Sequence, residues 1–134
     1  MIDIESLAAH WARIVTLPME HGVQGAYDKK AGAIYVADSL SDVQRRCVLA
    51  HELSHARHRD MSCLPADSTM ELRADMEAAR LLISPAEYAS AEAVCDGVWW
   101  LARELGVTVG MIVAYRHWLH ESSASLPCEY QGVD

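Results

Sequence analysis

Two histidines four residues apart, with a glutamate directly after the first, restrict this chain more than any other stretch of it: His51-Glu52-Leu53-Ser54-His55. On an α-helix, residues i and i+4 lie one above the other on the same face. Both imidazoles then reach one metal ion, and Glu52 sits beside whatever else that ion binds. The pattern asks for a helix at this place, a third ligand from elsewhere in the chain, and an opening for a substrate. A zinc ion with three protein ligands and a free fourth position lowers the pKa of its water to about 7, and a neighbouring carboxylate can take that proton. His51 and His55 are therefore candidate metal ligands, and Glu52 a candidate general base.

The surrounding residues support a helix there. Ser41-Asp-Val-Gln44 has the form of a capping box, with Ser41 as N-cap and Gln44 three residues on. The helix it opens runs to about His58, with Val43, Cys47, Val48, Ala50 and Leu53 as apolar neighbours of the motif. Before it, residues 22–37 hold two short β-forming runs around Asp28-Lys-Lys-Ala-Gly32, which predicts a hairpin. Ile4, Leu7, Ala8, Trp11, Ile14 and Val15 recur at helical spacing and predict a first helix over residues 2–17, ended by Pro18. After the motif, residues 59–67 read as a loop. A helix follows from about Ser68 to Ile83, and another from Pro85 to about Ala93 or Cys95. Two more cover residues 98–105 and about 108–121, separated by Gly106.

A third ligand is sought on the helix after the motif. Glu71, Asp75, Ala78 and Leu82 share one face at spacings i, i+4, i+7 and i+11. A stripe of small and apolar residues with two carboxylates at one end suits packing against the first helix, with a metal partnering the carboxylates. Ser68-Thr-Met-Glu71 is also a capping box, in which Glu71 would only serve backbone N–H groups. Spacing does not choose between these two roles. Glu77 is the alternative ligand, on a different face from Glu71. Asp75 is either a ligand or the carboxylate that holds a ligand histidine by its other ring N–H.

The stretch Cys47-Val-Leu-Ala-His51-Glu52-Leu53-Ser54-His55-Ala56, preceded by Gly32-Ala-Ile-Tyr-Val36, resembles the core of the ImmA/IrrE metallopeptidases. So does Glu71-Leu-Arg-Ala74-Asp75-Met-Glu77-Ala78-Ala79-Arg-Leu81-Leu82-Ile83-Ser84, set against a family helix reading approximately E-x-x-A-(N/D)-x-F-A-A-x-L-L-(M/I)-P. The likeness covers roughly residues 22–90. It departs at Glu77, where the family usually has Phe, and at Ser84, where it usually has Pro. The resemblance implies a gluzincin-like site with Glu71 as third zinc ligand and Asp75 behind a ligand histidine. It also implies a narrow substrate: a repressor or antitoxin-like DNA-binding regulator of a phage or mobile element. At 134 residues the chain leaves no room for a helix-turn-helix domain of its own, so a separately encoded regulator is the expected partner.

Charge and composition bound the alternatives. A formal net charge of −8 argues against a nucleic-acid-binding surface, which would normally be basic. Leu101-Ala-Arg-Glu-Leu-Gly106-Val-Thr-Val-Gly-Met-Ile112 has a helix-turn-helix pattern, but Arg116 is the main basic residue on its second helix, so it is expected to be scaffold or a docking surface. Met1-Ile2-Asp3-Ile4-Glu5 lacks the charge and apolar run of an export signal, and no apolar run suits a membrane span. A cytoplasmic setting is expected, with Cys47, Cys63, Cys95 and Cys128 reduced. His58 is expected at the surface, favoured by the helix C-terminus. Tyr35, Tyr88, His117 and His120 are the side chains able to donate to an oxyanion, and the sequence does not choose among them. Trp99 and Trp100 are expected as core and rim rather than as a substrate box.

Together these readings predict an α+β fold, a mostly helical zincin-like core with a small β-hairpin or sheet. Residues 1–121 would form a single metallopeptidase domain and residues 122–134 a polar tail. The expected activity is zinc-dependent endopeptidase cleavage of a specific protein. The alternatives are a zinc-containing binding module without proteolysis and a helix-turn-helix DNA-binding regulator.

Overall fold

A computed structural model describes residues 2–60 and 68–124. The order is α1 (Ile4–Ala9), β1 (Arg13–Leu17), β2 (Gly25–Asp28), β3 (Ala33–Ala37), α2 (Asp42–His58), α3 (Ser68–Leu82), α4 (Pro85–Val94), α5 (Val98–Leu105) and α6 (Val109–Ala124). The fold is α+β and mostly helical, as expected.

The three strands form one mixed sheet in the order β1-β3-β2. β2 and β3 make the expected hairpin, antiparallel with Tyr27 opposite Ile34. Its turn is held by Asp28, whose Oδ1 accepts from the amides of Lys30 and Ala31 at 3.0 and 3.2 Å. Gly32, at φ 61°, takes the left-handed position that a Cβ disfavours. β3 is the central strand. Ala33, Ile34, Val36 and Ala37 are buried, the apolar run of a strand covered on both faces.

The expected helix over 2–17 is corrected. α1 stops at Ala9, and Arg13–Leu17 is a strand paired in parallel with β3. Ile14-Val15-Thr16 is a β-branched run, stiff at χ1 and suited to a pleated surface. Helical spacing across it was matched by chance, and pairing with β3 decided the outcome. Trp11 consequently lies in the turn after α1, half exposed, with Arg57 of α2 over its ring at 5.8 Å.

α2 is the central helix, packed on α1, α3, β2 and β3. Its capping box forms as read: Ser41 Oγ accepts from the Gln44 amide at 3.2 Å, and Gln44 Oε1 accepts from the Ser41 amide at 2.9 Å. Leu49, Ala50, Leu53 and Ala56 go into the core with Ile4, Ile34, Val36, Leu101, Ile112 and Tyr115. Arg46 of α2 donates to the Gly106 carbonyl at 2.8 Å and fastens α2 to the C-terminus of α5. Gly106, at φ 67°, ends α5 in the left-handed conformation, and α6 leaves at a bend of 105°. α4 starts as read, with Ser84 as N-cap and Pro85 at the first turn. α6 runs to Ala124, so Ser122–Ala124 are helical; residues 125–134 lie outside the described residues. The expected 59–67 loop lies largely outside them too, with Cys63 and Cys128. Cys47 and Cys95 are free thiols, Cys47 buried and Cys95 exposed. No single helix among the described residues is long and apolar enough to cross a membrane.

Candidate active site

The i, i+4 spacing on α2 stacks the His51 and His55 rings, with centroids 4.9 Å apart and planes nearly perpendicular. α3 packs along α2 through Ala74 and Ala78, both buried, and these small residues let the two helices approach closely. That approach carries Glu71 to the histidines. Its Oε2 lies 2.8 Å from His51 Nε2 and 3.2 Å from His55 Nε2, and the two Nε2 atoms are 3.2 Å apart. Glu71 therefore faces the imidazoles, and the capping-box alternative for its side chain is not the arrangement found.

The other ring nitrogens are held by carboxylates. His51 Nδ1 donates to Asp75 Oδ1 at 2.8 Å, and His55 Nδ1 donates to Asp60 Oδ2 at 2.8 Å. This fixes both tautomers and turns both Nε2 lone pairs toward Glu71 Oε2. Three electron-rich atoms so close need a shared cation. The set of two imidazoles and one carboxylate suits a borderline-soft divalent ion, and it forms a candidate metal site. Without a metal, a proton serves instead. Burial lowers the pKa of His51, but the Asp75 hydrogen bond and the charges of Glu52, Asp75 and Glu71 outweigh it and hold it at about 9.

Glu52 is buried beside the pair, 8% exposed. Burial raises its pKa; the two histidines pull it down in part, and Glu71 and Asp75 push it up. Strand β2 passes directly over it. A Cβ on Gly25 would sit 2.5 Å from Val48 Cγ1, 3.1 Å from the Tyr35 carbonyl oxygen and 3.4 Å from Glu52 Cγ. Only glycine allows this approach of strand to helix.

Asp60 was missed by sequence reasoning, which placed it in a loop. Arg59 takes the left-handed conformation at the end of α2, and the Asp60 amide donates back to the His55 carbonyl at 3.0 Å. The chain reverses there and returns Asp60 to the ring one turn below. Arg73 of α3 also pairs with Asp60. Burial raises the Asp60 pKa, but His55 and Arg73 together hold it below the usual carboxylate range. The only signal in the sequence was a carboxylate just past a helix end.

Glu77, the alternative ligand, points away. It accepts from Ser54 Oγ at 2.8 Å and lies 2.9 Å from His58 Nε2. His58 is thus at the helix end, as expected, and paired. None of the four oxyanion candidates reaches the cavity. Tyr88 bonds Glu92 and Arg116, each at 2.9 Å, and His117 pairs with Glu121 at 3.2 Å. Tyr35 and His120 are likewise absent from the lining.

A cavity of about 1150 Å³ opens onto His51, Glu52, Glu71 and Asp75. Its other walls are Gln24 and Gly25 at the start of β2, and the α5–α6 corner from Trp99 to Met111. Trp99 and Trp100 both line it: Trp100 is partly buried against the core, as expected of one of the pair, and Trp99 stands at the rim, 78% exposed.

Two histidines and a glutamate converging in an open cleft, beside a buried carboxylate, define the class of metal-dependent hydrolases. The family model described as the IrrE N-terminal-like domain of the M78 peptidases matches residues 9–116, and the chain belongs to that family. It is accordingly a metallo-endopeptidase of the ImmA/IrrE type. Among curated proteins, none matches the chain.

Proposed function

We propose that this chain is a zinc-dependent endopeptidase whose substrate is a repressor or antitoxin-like DNA-binding regulator of a phage or mobile element, cut in the cytoplasm. The observation that carries the metal chemistry is the convergence of His51 Nε2, His55 Nε2 and Glu71 Oε2 within 2.8–3.2 Å of one another. The class of substrate rests on the family resemblance of the two helices.

His51, His55 and Glu71 would hold the ion. Zinc, when bound, supplies Lewis acidity and makes water acidic enough to be activated at neutral pH. Asp75 and Asp60 orient the two imidazoles. Glu52 accepts the proton of the attacking water and delivers it to the leaving amine. Its burial suits that task, because a carboxylate raised toward neutrality is both a better base and a usable acid.

Co-expression with candidate regulators tests the reading, with wild type compared against Glu52→Gln. Cleavage is expected for wild type and a loss of about 10²–10⁴-fold for Glu52→Gln, with one zinc per chain retained in both. If function survives Glu52→Gln with zinc bound, the protein is a binding module and the peptidase reading fails.

A further inference from the structure

α5 turns Val98, Leu101, Ala102 and Leu105 toward the core, at spacings i, i+3, i+4 and i+7. Trp99 and Arg103 are left one turn apart on a face that lines the cavity holding His51 and Glu52. Trp11 has Arg57 over its ring at 5.8 Å, and Trp118 has Arg80 at 4.4 Å. Among the described residues no cation or aromatic ring covers Trp99, although it is 78% exposed. An indole offers roughly 150–250 Å² to an occupant, and apolar surface held against water favours any side chain that displaces the water. Arg103 is also exposed and has no ion pair among the described residues. It is the cationic group of a lining whose carboxylates are Glu52, Glu71 and Asp75.

Resting on the peptidase reading, we propose that Trp99 and Arg103 select the substrate. The occupant is an extended polypeptide segment that lays a large apolar side chain on the Trp99 indole and pairs a carboxylate with Arg103. Residues i and i+4 of a helix have Cβ atoms about 5–6 Å apart. Side chains two apart on an extended chain share a face at roughly 6.5–7 Å. The apolar and acidic residues of the substrate are therefore separated by one residue. Arg103 is the only Lys or Arg of this lining, so it places the substrate's carboxylate and sets the register. Val109 and Met111 extend the apolar floor beside it.

The probes are four twelve-residue peptides, identical except at two positions separated by one residue: Phe and Glu, Ala and Glu, Phe and Lys, Ala and Lys. Binding to zinc-loaded Glu52→Gln protein is followed by tryptophan fluorescence and calorimetry, which separates recognition from turnover. The Phe–Glu peptide should bind tightest, with a loss of about tenfold for either single change, as for removal of an interface anchor. Trp99→Ala should erase the preference for Phe and leave that for Glu, and Trp99→Phe should restore most of it. Arg103→Glu should invert the preference from Glu to Lys. Equal binding of all four peptides overturns the proposal, as do preferences that survive both variants. A dimer in solution that Trp99→Ala dissociates also overturns it, since a second copy would then be the occupant. The two readings fail separately. A Phe–Glu peptide bound as expected, with every co-expressed regulator left uncut by wild type, sinks the peptidase and keeps the recognition; cutting without preference does the reverse.

Discussion

Asp60 accepts the Nδ1 proton of His55 at 2.8 Å from a position beyond the end of the helix that carries the histidine. Asp75 does the same for His51 from α3, also at 2.8 Å. Each candidate ligand ring is thus oriented by a carboxylate from outside α2, one placed by a local chain reversal and the other by helix packing.

Removing either carboxylate should loosen the metal without unfolding the chain. Asp60→Ala and Asp75→Ala are expected to lower zinc affinity by about 10–100-fold, the usual cost of losing such a partner. Asp60→Asn should be milder, because its amide oxygen still accepts from His55. Competition with a chromophoric chelator measures this. Unchanged affinity in both alanine variants would show that the rings need no such support.

Protons and metal compete at His51. In the metal-free protein its pKa is about 9, against 6.5 for an ordinary histidine. A folded pKa raised above the unfolded one gives stability that is fully present below pH 6.5 and is lost as pH rises through about 9. Chelator-treated protein should therefore lose on the order of 3 kcal/mol between pH 6 and pH 9. Urea melts at fixed steps of pH test this. Zinc uptake near neutral pH should release a proton, so apparent affinity should climb with pH, and a flat profile would contradict the assignment.

Gly25 is where β2 crosses α2. Gly25→Ala puts a methyl 2.5 Å from Val48 Cγ1 and forces strand and helix apart. A cost of about 1–3 kcal/mol is expected from this overpacking. Because Glu52 Cγ lies 3.4 Å from the same methyl, activity should fall by more than the stability loss explains at saturating zinc. Pairing Gly25→Ala with Val48→Ala should recover stability; no recovery in thermal melts would place the strain elsewhere.

Arg59 holds φ 54°, a conformation that costs an L-residue roughly 1–2 kcal/mol. Arg59→Gly should be neutral or stabilising by up to about 1 kcal/mol and keep zinc affinity. Arg59→Val should destabilise by about 1–2 kcal/mol and weaken zinc binding as well, since the strain falls on the turn that delivers Asp60. If zinc affinity ignores both changes, the turn and the site are uncoupled.

What the sequence determined by itself was local. The spacing of His51 and His55, the capping box at Ser41, the Asp28–Gly32 turn, the Pro85 start and the Gly106 stop all act within a few residues, and each formed as read. The family likeness supplied Glu71, which spacing alone left undecided. Tertiary structure decided the rest. Arg13–Leu17 became a strand because β3 offered a parallel partner, and no local pattern could report that partner. Glu71 rather than Glu77 met the histidines because packing of α3 on α2 chose which face turned inward. Asp60 and the Trp99 wall entered the site through a chain reversal and the α5–α6 bend. Apart from Asp60, which reaches His55 over five residues, these placements come from surfaces meeting across long separations in the chain. The pattern along the residues records the helices and turns, whereas the meeting of their surfaces exists only once they are packed.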